Sequence, residues 1–476
     1  MTTTPSPVSQ PSDRTGASDP VPDSAEPTGR WSAVRLTMER ALFPAPATGV
    51  PALWQRALTA VVFLAAIPLV ALRMPLRSWN SLWAEDGVVF LQEALSDGPW
   101  QPFGTQYAGY LHAYPRLASL IVTGLPLSWA GVLYTFLASA VVVWVAWTVW
   151  SSGTGLLPSP WIRGILCTAV VLLPAGGLEA LANVANSHFF LMFGAFWALL
   201  GRTRSWGGLL SAHALVVLAC LSDPVTLIAL PVAAARIVLL RRWRERLVSV
   251  TFAVSMAVQL LVVATAERET GGGLPSLPEL AFGYSLRVVS TSAVGLAHTK
   301  EFTEDGAVGE IRYVAAGVVL LLLVGLAVAR RNRLVAVATL IASLTFFTVA
   351  SAFSLGGSYP PGEPFRLVLE LTSRYTVVPA LLLLTTWCLL AQGLLGRLRP
   401  LARPALVALT AAPVLVFGVT DFRPDDGTRE SGPADWSTHV ESLERACDRQ
   451  PGSEPVTIPI QPPTTWAVTI TCRDVD

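Results

Sequence analysis

Runs of apolar residues long enough to cross a bilayer recur along this chain, and they constrain the fold more than any motif does. A transmembrane helix needs about 20 predominantly apolar residues, fewer where flanking side chains reach the interface. Segments that meet this requirement fall at 53–72, 130–150, 164–178, 189–200, 209–221, 225–240, 247–266, 314–329, 334–353, 375–390 and 405–419. A further apolar stretch, 111–127, is interrupted by Pro115, Arg116 and Pro126. Charged residues make up only 14% of the chain, where a soluble protein carries roughly a quarter. The expected fold class is an all-α polytopic membrane protein with about 11 transmembrane helices, roughly 10 to 13. No P-loop and no strand–GxGxxG–helix pattern occurs. A net charge of +1 leaves nothing to neutralise a nucleic-acid backbone.

Arginines orient the spans, because basic residues collect on the cytoplasmic side. Arg241, Arg242, Arg244 and Arg246 mark one inner loop, Arg330, Arg331 and Arg333 a second, and Arg397, Arg399 and Arg403 a third. Arg202 and Arg204 fit the same side. This map puts the N-terminus inside and the chain after Val419 outside. Parity then makes 111–127 re-entrant or interfacial, and leaves Arg73 and Arg77 outside, against the trend.

Three regions follow. Residues 1–50 form a cytoplasmic tail, disordered to about Arg30 because Ser, Thr, Pro and Asp dominate it. A short basic amphipathic stretch at 31–43 suits the inner leaflet. Residues 51–420 form the membrane domain, and 421–476 a small extracytoplasmic C-terminal segment. Cys447 and Cys472 lie in that segment and pair as a disulfide if it faces an oxidising compartment. Cys167, Cys220 and Cys388 lie in apolar runs, as small core residues do.

Polar residues gather at the outer ends of the spans. The first external segment reads Trp79-Asn80-Ser81-Leu82-Trp83-Ala84-Glu85-Asp86-Gly87, followed by an amphipathic stretch. Neighbouring carboxylates bind a divalent cation such as Mg or Mn, or one serves as general base while the other tunes it. The alternative is a helix N-terminus, whose positive end favours Glu and Asp. Trp79, Trp83 and Trp100 suit either stacking on a sugar face or an interfacial aromatic belt. Next comes Leu111-His112-Ala113-Tyr114-Pro115-Arg116, then a span, then a short span ending in polar residues.

This order of features resembles the GT-C superfamily of polyprenyl-phosphate-sugar-dependent membrane glycosyltransferases, over roughly the first half of the chain. The resemblance implies juxtamembrane helices after the first span, a polyprenyl-phosphate sugar donor and a glycan, lipid or protein acceptor of the cell envelope. It also implies a bacterial plasma-membrane location. By position, the acid beside the acceptor hydroxyl and donor phosphate would be Asp86 or Glu85, with His112 and Arg116 close to the substrate. The chain departs from the oligosaccharyltransferase pattern in lacking a second Asp-x-Asp motif, which leaves metal dependence open.

A second outer patch contains Glu179, Asn183 and Asn186, spaced i, i+4, i+7 and so expected on one helix face. Carboxylate and amide groups on one stripe suit sugar hydroxyls; interhelical hydrogen bonding is the structural alternative. His188 points elsewhere on the wheel. Asp223, before Pro224, reads first as a turn residue and second as part of the site wall. Arg374, before Tyr375, opens a span on the outer side, where it suits a lipid headgroup or, first, the phosphate or diphosphate of a lipid-linked donor. Arg116 and Arg366 fall on the same side, and Gly271-Gly272-Gly273 reads as loop. The rival function class is a transporter or flippase of lipid-linked sugars, whose site would lie at the bilayer midplane. Gln259 is the main polar residue there, so the outer-end clustering favours the enzyme. An envelope polysaccharide ligase shares the same site logic.

Overall fold

The computed structural model describes residues 30–46, 52–98, 100–203, 205–266, 275–304, 308–354, 373–423, 435–450, 454–462 and 466–475. Residues 1–29, Arg204, Gly271-Gly272-Gly273 and Arg366 lie outside them. Among the described residues seven stretches are long and apolar enough to cross a membrane: Leu53–Ala71, Leu127–Ser152, Trp243–Thr265, Gly309–Val328, Arg333–Ala352, Ser373–Leu395 and Pro400–Thr420. Four shorter apolar stretches are Pro160–Leu172, Ala185–Leu200, Trp206–Cys220 and Pro224–Leu239. The chain is a helical multi-pass membrane protein. From 111–127 comes only the 11-residue helix Ala113–Thr123, which rises about 16 Å, half a hydrocarbon core.

Burial separates the centre of the bundle from its lipid-facing rim. Every residue of the helix His188–Leu200 is buried, among them Phe189, Phe190, Phe193, Phe196 and Trp197. A helix that is apolar all round belongs in the interior. Helices Ala130–Ser152, Trp206–Cys220 and Val377–Leu395 surround it. Helix Leu53–Ala71, by contrast, buries only Val70 and Ala71 and packs against Ala130–Ser152. The N-terminal helix Arg30–Leu42 coincides with the basic amphipathic stretch, and Trp31 is exposed.

The arginine-rich loops meet at one end of this bundle. Arg202 pairs with Glu39 and Glu245 and donates to the Phe43 carbonyl. Arg236, buried, donates to the carbonyls of Leu199 and Gly201, which end the central helix. Asn332 donates to the carbonyls of Leu156 and Leu389, bringing the 330–333 loop to the same end. Arg73 sits at the opposite end and is fully buried rather than a loop charge. Its guanidinium donates to Val171 O, Leu173 O and Phe422 O at 2.7, 3.0 and 3.2 Å. It thereby satisfies carbonyls where two helices end, groups that have no intrahelical partner. Burial pushes Arg73 down to about 10, with Asp421 opposing the shift. This structural use accounts for an arginine on the side where the sequence map disfavours it.

The C-terminal segment is more elaborate than a tail. Helix Trp436–Arg449 is followed by strands Val456–Pro459 and Ala467–Ile470, paired antiparallel, and by the short helix Cys472–Val475. A Cys447–Cys472 disulfide closes the unit. The unit is stitched to the first loop. Ser437 N donates to Asn80 Oδ1 at 3.0 Å, Trp436 Nε1 to Leu127 O at 2.7 Å and Gln461 N to Leu82 O at 3.0 Å. The first loop in turn lies hard against helix Ala130–Ser152. A Cβ built on Gly131 would meet Ser81 N at 2.8 Å and Trp79 O at 2.9 Å. Since backbone atoms cannot swing aside, Gly131→Ala should destabilise the protein by about 1–3 kcal/mol. Thermal unfolding in detergent or nanodiscs measures this; an unchanged melting temperature would contradict the packing.

Candidate functional site

Three chain segments converge at the end opposite the arginine-rich loops, and backbone chemistry explains the convergence. Asp86, buried, accepts from Ala185 N at 2.6 Å on Oδ1 and from Val184 N at 2.9 Å on Oδ2. This clamps the first loop to the second polar patch. The start of helix Ala113–Thr123 is tied to the turn after Trp206–Cys220, through Ala113 N to Leu221 O and Tyr114 N to Ser222 Oγ. Gln259 grips the Leu111 backbone from helix Trp243–Thr265, accepting at 3.3 Å and donating at 3.2 Å.

The second patch is not the single helix face expected of it. The helix Gly176–Glu179 ends at once, and Ala182 takes a left-handed φ of 50°. Asn183 Oδ1 then accepts from Asn186 N at 3.0 Å, the kind of local side-chain bond that competes with helix. Asn186 Nδ2 donates to the Glu179 carbonyl at 3.2 Å. The amides therefore shape the loop. Asn183 is fully buried within it, while Asn186 reaches the site wall.

Between these segments lies a cavity of ≈ 620 Å³, within the range of ligand sites. Glu85, His112, Asn186, His188, Asp223, Arg374 and Tyr375 line it. Asp86, Arg116, Glu179, Asn183 and Trp83 do not, though sequence reasoning grouped them with the site. Each has another position. Arg116 is buried against Glu93, also donates to Thr105 O, and lies over the Phe90 ring. Trp83 bridges to Gln461 of the C-terminal unit. Glu179 stands behind Arg374, its Oε2 3.8 Å from Nη1 and 3.4 Å from the Arg374 amide. Arg374 lies over the Tyr375 ring and keeps 31% of its side chain exposed.

Adjacent Glu85 and Asp86 thus meet different surroundings: Glu85 is half-buried at the cavity surface, and Asp86 is in the wall behind it. Ala84, just before them, has φ 37° and is held by its amide bond to Gln461 O. The clamp commits both Asp86 oxygens to backbone amides, whereas Glu85 faces the cavity. Among the described residues no group of three or more His, Cys, Asp or Glu is arranged to hold a metal ion.

The histidines have distinct roles. His112 is boxed by aromatic rings, stacked on Tyr110 at 4.3 Å with Tyr107 and Phe90 at 5.3 and 5.4 Å. Burial first, then nearby His188, pushes His112 down to about 3, so it stays neutral at ordinary pH. His188 Nδ1 lies 2.6 Å from Ala185 O and Nε2 3.2 Å from Asp223 Oδ2. The other carboxylate oxygen of Asp223 accepts from Val225 N at 2.7 Å, as expected of an acid before a helical Pro. Tyr107 and Tyr110 were not singled out from sequence. Their signal was the intervening Ala108-Gly109, which takes positive φ values of 53° and 83° in a tight turn. Part of the cavity wall, with Leu227, Ile228, Leu260, Phe346 and Val349, is apolar; Leu227 and Leu260 are exposed.

Compared with protein-family models, curated proteins and solved structures, the chain matches none.

The Asp86 clamp has a testable cost. In Asp86→Asn one backbone N–H must face an NH2 group, so a charge-assisted bond becomes a donor–donor clash. Stability should fall by about 1–3 kcal/mol, measured as a melting-temperature shift. A variant as stable as the parent would show that the carboxylate does not hold the loops.

Proposed function

We propose that this protein is an integral-membrane glycosyltransferase of the GT-C kind. It would move a sugar from a polyprenyl-phosphate donor to an acceptor of the cell envelope, with inversion. One observation supports the reading: a single cavity is lined both by polar groups, among them Glu85, Arg374, His188 and Asp223, and by apolar side chains, of which Leu227 and Leu260 are exposed. A ligand with a polar, phosphate-bearing head and a hydrocarbon chain fits both kinds of lining. Glu85, at the cavity surface, takes the acceptor proton as general base, while Asp86 positions the loop that carries it. Arg374, held from behind by Glu179, faces the phosphate. Attack on the anomeric carbon opposite the leaving group inverts its configuration.

The seven long and four short apolar helical stretches support the reading of eleven spans. The arginine-rich end is then cytoplasmic and the cavity extracytoplasmic, in a bacterial plasma membrane. The Cys447–Cys472 disulfide on the cavity side agrees with an oxidising compartment. The main polar residue of the transporter reading, Gln259, is engaged by the Leu111 backbone, which leaves that rival without a specific observation in its favour.

Glu85→Gln keeps size and hydrogen bonding but cannot accept the proton. Transfer from a polyprenyl-phosphate sugar, per folded molecule, should fall by about a hundredfold or more. Turnover near that of the parent would remove Glu85 from the mechanism.

A further inference from the structure

We propose that His188 and Asp223 act together as a one-proton donor to the phosphate that leaves the sugar, a step that rests on the glycosyltransferase reading above. The argument begins with the ring nitrogens. A carbonyl oxygen can only accept, so the 2.6 Å contact with Ala185 O puts a proton on Nδ1 of His188. In a neutral imidazole Nε2 would then be a bare lone pair, yet it lies 3.2 Å from Asp223 Oδ2. Two lone pairs do not face each other across that distance without a proton between them. The pair is therefore either imidazolium with carboxylate or imidazole with carboxylic acid. In both forms it carries one transferable proton, and both residues line the cavity.

The charge inventory of the cavity gives that proton a task. Among the described residues that line the cavity, Glu85 and Asp223 contribute acids, and the cation Arg374 shares its charge with Glu179. His112, the other titratable ring facing His188, lies with its centroid 6.2 Å away and is neutral. When a sugar leaves a phosphodiester, the phosphate gains a second negative charge, and a dianion here would be under-neutralised. In the proposed step the acceptor oxygen forms its bond to the anomeric carbon as the carbon–oxygen bond to phosphate breaks. The electron pair of the broken bond stays on the phosphate oxygen. Glu85 takes the hydroxyl proton, and the His188–Asp223 pair gives its own proton to the phosphate. The lipid phosphate leaves as a monoanion, and the proton on Glu85 returns to the pair through cavity solvent.

A merely structural pair would make a different prediction, and Asp223→Asn separates the two. Asn Oδ1 still accepts from Val225 N, and its Nδ2–H donates to the bare Nε2 of neutral His188, so the geometry is kept while the acidic proton is lost. The first readout is the 31P NMR titration of a polyprenyl monophosphate bound to the protein in nanodiscs. Bound phosphate should stay monoanionic to higher pH in the parent than in Asp223→Asn. The second is the pH profile of transfer. The parent rate should fall as alkaline pH strips the pair of its proton, whereas Asp223→Asn should be at least about tenfold slower and lack that alkaline fall. Identical phosphate titration and an identical rate profile in both proteins would overturn the proton-donor role while leaving the glycosyltransferase reading standing. Failure of the parent to bind the lipid phosphate at all would overturn both.

Discussion

The contact between the Asp86 carboxylate and the amides of Val184 and Ala185 holds the proposed site together. One buried acid joins segments almost a hundred residues apart, and each side of that junction carries a cavity residue: Glu85 on one, Asn186 and His188 on the other. Charge-assisted bonds of this kind contribute about 1.5–3 kcal/mol each, and leaving a buried partner unsatisfied costs as much. The C-terminal unit reinforces the junction from outside. Its Gln461 pins Leu82 and Ala84, and Ala84 is kept in a backbone conformation that L-residues seldom adopt. The acid next to it is thereby placed by contacts on both faces of the loop.

The same device recurs at three other helix ends. Asp421 accepts from the amides of Leu296 and Ala297 at the start of helix Leu296–Glu304. Arg236 and Arg73 satisfy carbonyls at the opposite kind of terminus. Apolar surroundings provide no water for such groups, so side chains must serve them. Short helices then become affordable in a specific place. The central helix has 13 residues and rises about 20 Å, roughly 10 Å less than a hydrocarbon core. His188 stands at the end where that helix stops, and the cavity occupies the region beyond it. A chamber partly recessed among apolar helices follows from the length of one segment.

The sequence made the helical membrane class legible because apolar runs are long and the arginine clusters are dense. Arg73 was misleading as a topological marker, since burial against three carbonyls is invisible to a charge count. Glu85, Asn186, His188, Asp223 and Arg374, which line the cavity, stood out in the sequence because they are polar residues at the ends of apolar runs. What sequence could not do was separate Glu85 from Asp86, because that distinction depends on amides far along the chain. Nor could spacing show that Glu179, Asn183 and Asn186 part company at Ala182. The partners of Arg116, Glu93 and the Thr105 carbonyl, are likewise invisible to spacing. The β-hairpin near the C-terminus was missed: its strands are four residues long, too short for periodicity to declare.

The central claim is that one cavity receives both the charged head and the hydrocarbon chain of a lipid-linked phosphate sugar. Photocrosslinking tests it most directly. A polyprenyl-phosphate sugar carrying a photoreactive group on the chain near the phosphate would be irradiated with the protein in nanodiscs, and labelled peptides mapped by mass spectrometry. The account predicts labelling of the apolar wall, at Leu227, Ile228, Leu260, Phe346 or Val349, suppressed by excess unlabelled polyprenyl phosphate. Labelling spread evenly over the exposed faces of helices Leu53–Ala71 and Arg403–Thr420, and indifferent to competitor, would contradict it.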